Sequence, residues 1–265
     1  MYRFAAIFIA IPLTAQVPAG SWSFGVYGCN PQLTGHYRDS SIIQTELGSI
    51  KTDFDIKKDF NLKNSKTSLG IHMDYIGSRF GFSLNYGIHD FAGQSQINRE
   101  IGVGGQTFYS GMDVTSSLKN TAFDLNGTIK VLRGSSIWLG VDIGIQAWYL
   151  DVQAEGVSTA NPLAEAITDK VTETVTVPIP QIGLSFGFRG LQNSLELGGK
   201  AHFLAYNGAK YTRFVAEARY YVLSWLGVRA FMEIQSLEAP NGSINADVEA
   251  RLDNSLSGFG IALRW

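Results

Sequence analysis

The strongest constraint on this chain is a two-residue rhythm kept almost from end to end. In FGFSLNYGIHD, Phe80, Phe82, Leu84, Tyr86 and Ile88 fall on one face and Gly81, Ser83, Asn85, Gly87 and His89 on the other. The stretch before it sets Leu69, Ile71, Met73 and Tyr75 against Ser68, Gly70, His72 and Asp74. Ile137, Leu139, Val141, Ile143 and Ile145 alternate with Trp138, Gly140, Asp142, Gly144 and Gln146, and the last eight residues, GFGIALRW, do the same down to Trp265. A period of two is the signature of strands with one apolar and one polar face.

Ten such segments lie near 22–38, 66–76, 80–96, 113–132, 136–155, 172–189, 193–206, 211–222, 226–238 and 244–265. Their connections alternate between short turns (IGSR, RGSS, RGLQN, SWL) and a second side that carries the long polar stretches 39–65, 97–112 and 156–171. Soluble and membrane barrels share the alternation, turned inside out, so other features must decide between them. Short turns at one end and longer loops at the other are the outer-membrane layout. Tyr75, Phe80, Phe188, Tyr220, Trp225 and Trp265 gather at the short-turn end, as an interfacial aromatic girdle requires. Charged residues make up only 17%, against roughly 25% in soluble domains. In lipid an open sheet edge would leave backbone groups unpaired, so the strands must close on themselves. The expectation is an all-β fold: a closed antiparallel transmembrane β-barrel of ten strands. Eight is the alternative if the first strand or one late hairpin is miscounted. The parity of apolar positions shifts around Val177-Pro178-Ile179-Pro180 and again between Leu252 and Ser257. Bulges near the loop side are expected at both.

MYRFAAIFIAIPLTAQVPAGS has one arginine, an apolar run from Phe4 to Leu13 and then small residues. It reads as a secretory signal peptide over residues 1–19, with Val17-Pro18-Ala19 as cleavage site, followed by an outer-membrane barrel over 20–265. Ten apolar residues are too few for a spanning helix, which needs about 20. With the single cysteine Cys29, no intrachain disulfide forms. A net charge of −2 argues against nucleic acid as a partner. The expected location is the outer membrane, as a monomer with both termini in the periplasm. Phe259, Ile261, Leu263 and Trp265 would face lipid, the kind of C-terminal strand that the barrel-assembly machinery reads.

The stretch GGQTFYSGMDVTSSLKNTAFDLNGTIKVL, then a strand, a polar loop and VPIPQIGLSFGF, resembles a family of small, mostly uncharacterised Gram-negative outer-membrane barrels, akin in size to the OmpW and OmpA-barrel proteins. The resemblance runs from about residue 95 to the C-terminus and more loosely takes in WSFGVYG. It implies a signal peptide, outer-membrane location and a one-chain barrel, and no substrate.

Chemistry is thinly represented. None of His36, His72, His89 and His202 has the adjacent or near-adjacent serine of lipid-hydrolysing barrels. His72 and Asp74 share a face but lie near the short-turn end, and read as lumen polar groups. His89 is nearer the outer rim, yet Asp90 beside it points to the opposite face. No set of His, Cys or carboxylates converges as metal ligands, and no cofactor is expected. The chain is therefore expected not to be an enzyme. One constellation stands out. A hairpin about residues 208–209 would bring Lys200 opposite Glu217, and the next, about residue 224, sets Arg219 opposite Arg229 with Glu233 one step along. Glu196, Lys200, Glu217, Arg219, Arg229 and Glu233 then form a charge cluster on the inner wall. It is either a network that fills a narrow lumen or a selectivity constriction. The functional expectation is a narrow passive channel for small polar solutes. The alternative is a closed structural or surface-interaction barrel acting through its loops. Partners are outer-membrane lipid and lipopolysaccharide, the latter met by Lys51, Lys57 and Lys58 of the 39–65 loop.

Overall fold

In a computed structural model, residues 20–45, 48–64, 68–103, 106–157, 168–240 and 248–265 are described. The expected signal peptide and its cleavage site lie outside them. The elements are β1 (Ser21–Thr45), β2 (Gly48–Asp55), β3 (Lys63–Asn64), β4 (Ser68–Ile76), β5 (Phe80–Gln96), β6 (Ile101–Val103) and β7 (Gln106–Phe108). They continue with β8 (Asp113–Arg133), β9 (Ile137–Val157), β10 (Thr168–Gly190), β11 (Leu195–Tyr206), β12 (Ala209–Tyr221), β13 (Leu226–Ala239) and β14 (Val248–Arg264). Ten of them, β1, β4, β5 and β8 to β14, pair antiparallel in that order. β14 then pairs with β1 from Ser23↔Arg264 to Asp39↔Val248 and returns the ladder to its start. Trp22 and Trp265 extend the seam: Trp22 N–H donates to the Trp265 carbonyl at 2.9 Å and Trp265 N–H returns the bond at 3.0 Å.

In the membrane-level part of the wall, strict alternation turns the apolar face outward. On β9 the outward positions run Ile137, Leu139, Val141, Ile143, Ile145, Ala147 and Tyr149 before the first charge at Asp151. Asp151 lies opposite Lys119 of β8, and Lys119 opposite Asp90 of β5, so a charged row bounds the belt on the loop side. Trp22, Phe80, Tyr220, Trp225 and Trp265 are exposed at the other boundary. Phe259 is 77% exposed, Leu69 68% and Ile143 66%. Water would not tolerate an apolar surface this continuous, whereas hydrocarbon solvates it.

From just below the charged row upward the pattern inverts. Inward positions become apolar: Val114 and Leu118 on β8, Trp148, Leu150 and Ala154 on β9, Val171 and Ile179 on β10, Leu237 on β13. This is the reason for the two parity shifts. Pairing of β10 with β9 runs without interruption through Val177–Pro180, and that of β14 with both neighbours runs through Leu252–Ser257. No bulge lies at either place, contrary to the sequence expectation. Leu252 faces inward against the head core, where the strand has left the lipid. Ile179, opposite Gln146 at the top of the belt, packs on the underside of the same core, and Leu256, opposite Glu233, joins a separate small cluster with Cys29, Phe231 and Tyr27 inside the barrel. Pro178 and Pro180 fit because β10 pairs with β11 only from Ile182 onward, so no partner on that side needs their missing N–H groups.

Two loops close this head over the barrel mouth. Ile56, Phe60 and Leu62 of the 55–62 segment and Ile97, Ile101, Phe108 and Met112 of the 97–112 segment are all buried in one core. The first is pinned to the wall, where Ser116 Oγ donates to the Phe60 carbonyl at 3.1 Å and Asn61 Nδ2 to the Gln94 carbonyl at 3.1 Å. Gly93 leaves room for that approach, since a Cβ there would lie 2.7 Å from the Asn61 carbonyl. Arg99 ties the second loop to the first through Asp59 at 2.8 Å.

The β11–β12 connection is a two-residue turn, Tyr206↔Ala209, with Asn207 at φ 48° and Gly208 at φ 84°. Positive φ at both central positions is the hairpin geometry that Asn-Gly favours. It centres the hairpin one residue earlier than expected, which moves each partner by two, so Lys200 lies opposite Val215 and Glu217 opposite Gly198. Gly208→Ala should lower the unfolding free energy of the detergent-refolded protein by about 1 kcal/mol in a denaturant titration, the cost of a Cβ in left-handed backbone. An unchanged midpoint would show that the turn adapts.

Candidate functional site

Inward-facing residues of the membrane-level wall are polar and largely buried, and they meet across the lumen rather than along it. Down β12 from the loop side the inner positions are Tyr211, Arg213, Val215, Glu217, Arg219 and Tyr221. Arg213, only 3% exposed, sits just beneath the apolar head. Its Nε and Nη2 grip both oxygens of Glu233 on β13 at 2.8 and 3.2 Å, while Nη1 reaches Asp124 on β8 at 2.8 Å. Gln181 accepts a further bond from Nη1 at 3.3 Å, and Gln235 donates to Glu233. Tyr211, Gln146 and Gln181 share hydrogen bonds at the same level.

The next layer centres on Glu217. Arg219 donates to it at 3.0 Å and to Asp74 on β4 at 2.5 Å, and Arg229 approaches it at 3.0 Å. The Arg229 guanidinium also lies 4.8 Å from the Phe231 ring centroid and 5.5 Å from that of Tyr27. Lys200 donates to Ser83 Oγ on β5 at 2.7 Å. At the short-turn mouth Glu196 bridges Arg189 at 3.2 Å and Arg264 at 3.4 Å. All six residues of the sequence-derived cluster therefore point inward, but in separate groups. Glu217, Arg219 and Arg229 stay together, Glu233 belongs with Arg213, Glu196 with the mouth, and Lys200 with the opposite wall.

The Asp142–His202 pair and the Arg213–Asp124 bond form no part of the charge cluster expected from the sequence. Asp142 of β9 accepts bonds from Thr128 at 2.5 Å and Ser185 at 2.8 Å, and its other oxygen lies 3.3 Å from His202 Nε2. Asp142 and His202 sit on either side of Gly183, which pairs with both. A Cβ on Gly183 would lie 2.5 Å from the His202 ring, so the glycine lets strands β9 and β11 join side chains over β10. Both residues are fully buried, as is His72. His89 is also buried, its Nδ1 3.8 Å from Cys29 Sγ. Asp74, expected beside His72, is held by Arg219. On the outside, Lys57 and Lys58 are exposed and their N–H groups cap Asp55. The side chain of Lys51 lies outside the described residues. No group of three or more metal-ligating side chains occurs among the described residues.

No family model and no curated protein matches the chain. Among solved structures, it is similar to the outer membrane protease OmpT of Escherichia coli, with a TM-score of 0.63 and 12% identity over 95% of this chain and 99% of that one. The translocator domain of the autotransporter NalP from Neisseria meningitidis aligns at TM-score 0.42 and 12% identity, covering 95% of this chain and 91% of that one. Ail, the attachment invasion locus protein of Yersinia pestis, aligns at TM-score 0.31 and 9% identity over 94% of this chain and 100% of that one. The OmpT likeness carries the fold, and the fold together with the lipid-facing belt places this chain in the outer membrane as a β-barrel.

Proposed function

We propose that this is a closed, non-catalytic outer-membrane barrel that carries a packed extracellular head and works through that outer surface rather than through its lumen. The observation that supports it is bridging from wall to wall. Arg213–Asp124 joins β12 to β8, Arg219–Asp74 joins β12 to β4, and Lys200–Ser83 joins β11 to β5. Each bond spans the lumen between strands four places apart in the ring. A ten-stranded barrel is narrow enough for side chains to do this. Above the bridges lies the apolar core of the head, which excludes the water that a solute path needs. The channel reading calls for a continuous polar route, and the interior cavity of about 80 Å³ has Lys200, Glu217 and Arg219, all engaged in these bonds, in its lining.

Lipopolysaccharide belongs to the same reading, through the exposed Lys57 and Lys58 at the head's rim, as does recognition of the outward C-terminal strand by the assembly machinery. The likeness to a protease adds no catalytic assignment at 12% identity, because a fold hosts many chemistries. Protein refolded in detergent and inserted into a planar bilayer should pass no stepwise current, while still showing the heat-dependent gel migration of a folded barrel. Discrete, reproducible conductance steps would overturn this reading in favour of a narrow channel.

A further inference from the structure

The short-turn mouth holds a second, differently built cavity. It is an open pocket of about 300 Å³ lined by Lys130, Arg133, Arg189, Trp138 and the serines Ser135 and Ser136. It shares Ile76, Lys130, Trp138 and Arg189 with the smaller interior cavity, so the two form one vestibule open toward the periplasm. Five cations line the pair, Lys130, Arg133, Arg189, Lys200 and Arg219, against three carboxylates, Asp74, Glu196 and Glu217. At its inner end Arg219 has a side chain only 4% exposed, and its Nε has no hydrogen-bond partner. Arg189 Nη2 at the mouth is likewise buried and unsatisfied. Buried guanidinium donors left open are costly unless something accepts from them.

The backbone is arranged to put the cations there. Lys130 and Arg133 are three residues apart and by strict alternation would face opposite sides of the wall. The β8–β9 ladder shifts register between Lys130 and Leu132, so that Lys130 pairs with Gly140, Leu132 with Leu139 and Arg133 with Trp138. The extra residue, Val131, is exposed together with Leu132. Arg133 thereby joins Trp138 and Lys130 on the inner side. A bulge is the device by which a strand re-aims one side chain. Lys130 is held in place by a 2.7 Å bond to the Gly77 carbonyl and lies 5.0 Å from the Trp138 ring centroid.

We propose that this vestibule is a binding site for a small oxyanion, phosphate or carboxylate, presented from the periplasmic side. Lys130 and Arg133 supply the charge, and the open guanidinium donors and serine hydroxyls supply the hydrogen bonds. Charge-assisted bonds of this kind are the strong ones.

Calorimetric titration of the folded protein in a maltoside detergent, with inorganic phosphate in one series and succinate in another, tests the site. Saturable heat is expected with at least one probe, weakened about tenfold or more in Lys130→Gln/Arg133→Ser and unchanged in Arg251→Ser, an exposed arginine at the far end. A preference for phosphate would identify a phosphate source, and one for succinate a carboxylate source. Absence of heat with both probes, or binding unaffected by the double substitution, would overturn the proposal. Arg133→Ser alone, at an exposed position, gives the same comparison should the double variant not fold. The titration needs no current, so its failure is distinct from failure of the closed-barrel reading.

Discussion

Replacing Arg213 by alanine is expected to remove about 3–5 kcal/mol of unfolding free energy, the cost of stranding buried charges without their partner. The guanidinium is the only positive group within bonding distance of both Asp124 and Glu233 among the described contacts, at 2.8 Å from each. Without it, two buried carboxylates face each other with amides and a phenol for company, and each must take up a proton or draw in water. Arg213→Lys should recover only part of the loss, because a point charge cannot make the two-pronged contact to Glu233 and still reach Asp124. Asp124→Leu/Arg213→Met/Glu233→Leu should come close to wild type, since hydrophobic replacement of a buried ion network is often neutral or better. Guanidinium titration of the refolded protein, followed by tryptophan fluorescence, separates the cases. An alanine variant within about 1 kcal/mol of wild type would mean that water already solvates this layer, and the wall-to-wall bridge would then not seal the lumen.

That arginine was hidden in the sequence for a specific reason. The strand limits were legible because lipid enforces alternation on every spanning strand, and nine of the ten segments appear within four residues of their expected limits; the first runs on to Thr45 and pairs with β2 inside the stretch expected to be a loop. Which strands touch through the lumen is not encoded in alternation. Asp124 and Arg213 come from strands four places apart, and Asp142 meets His202 only because Gly183 between them has no side chain. Asn207-Gly208 was readable: that dipeptide fixes a two-residue turn, and the right register would have set Arg213 across from His202 and Gln235. The parity shifts at Ile179 and Leu252 were also visible, but a bulge and a change of solvent leave the same trace in a sequence. Only the pairing, unbroken through both, tells them apart.

The inversion carries its own consequence. The belt is stabilised by lipid and a polar interior, the head by removal of apolar surface from water, so damage to one need not spread to the other. Phe60 is 4% exposed in the head core, with its ring 5.2 Å from that of Phe54 and its carbonyl bonded to Ser116. Phe60→Ala should cost about 3–5 kcal/mol, felt as local opening of the head. Its signature is faster amide exchange at Ile97 and Gly111, whose N–H groups bond to Met112 and Ile97 at the base of the 97–112 loop. The barrel beneath should keep its heat-dependent migration and remain electrically silent, because Arg213, Arg219 and Lys200 still cross the lumen. Unchanged exchange would mean that the head is not one packed unit. Steady current from Phe60→Ala would mean that the apolar core alone closes the barrel and that the charged layers below it are permeable.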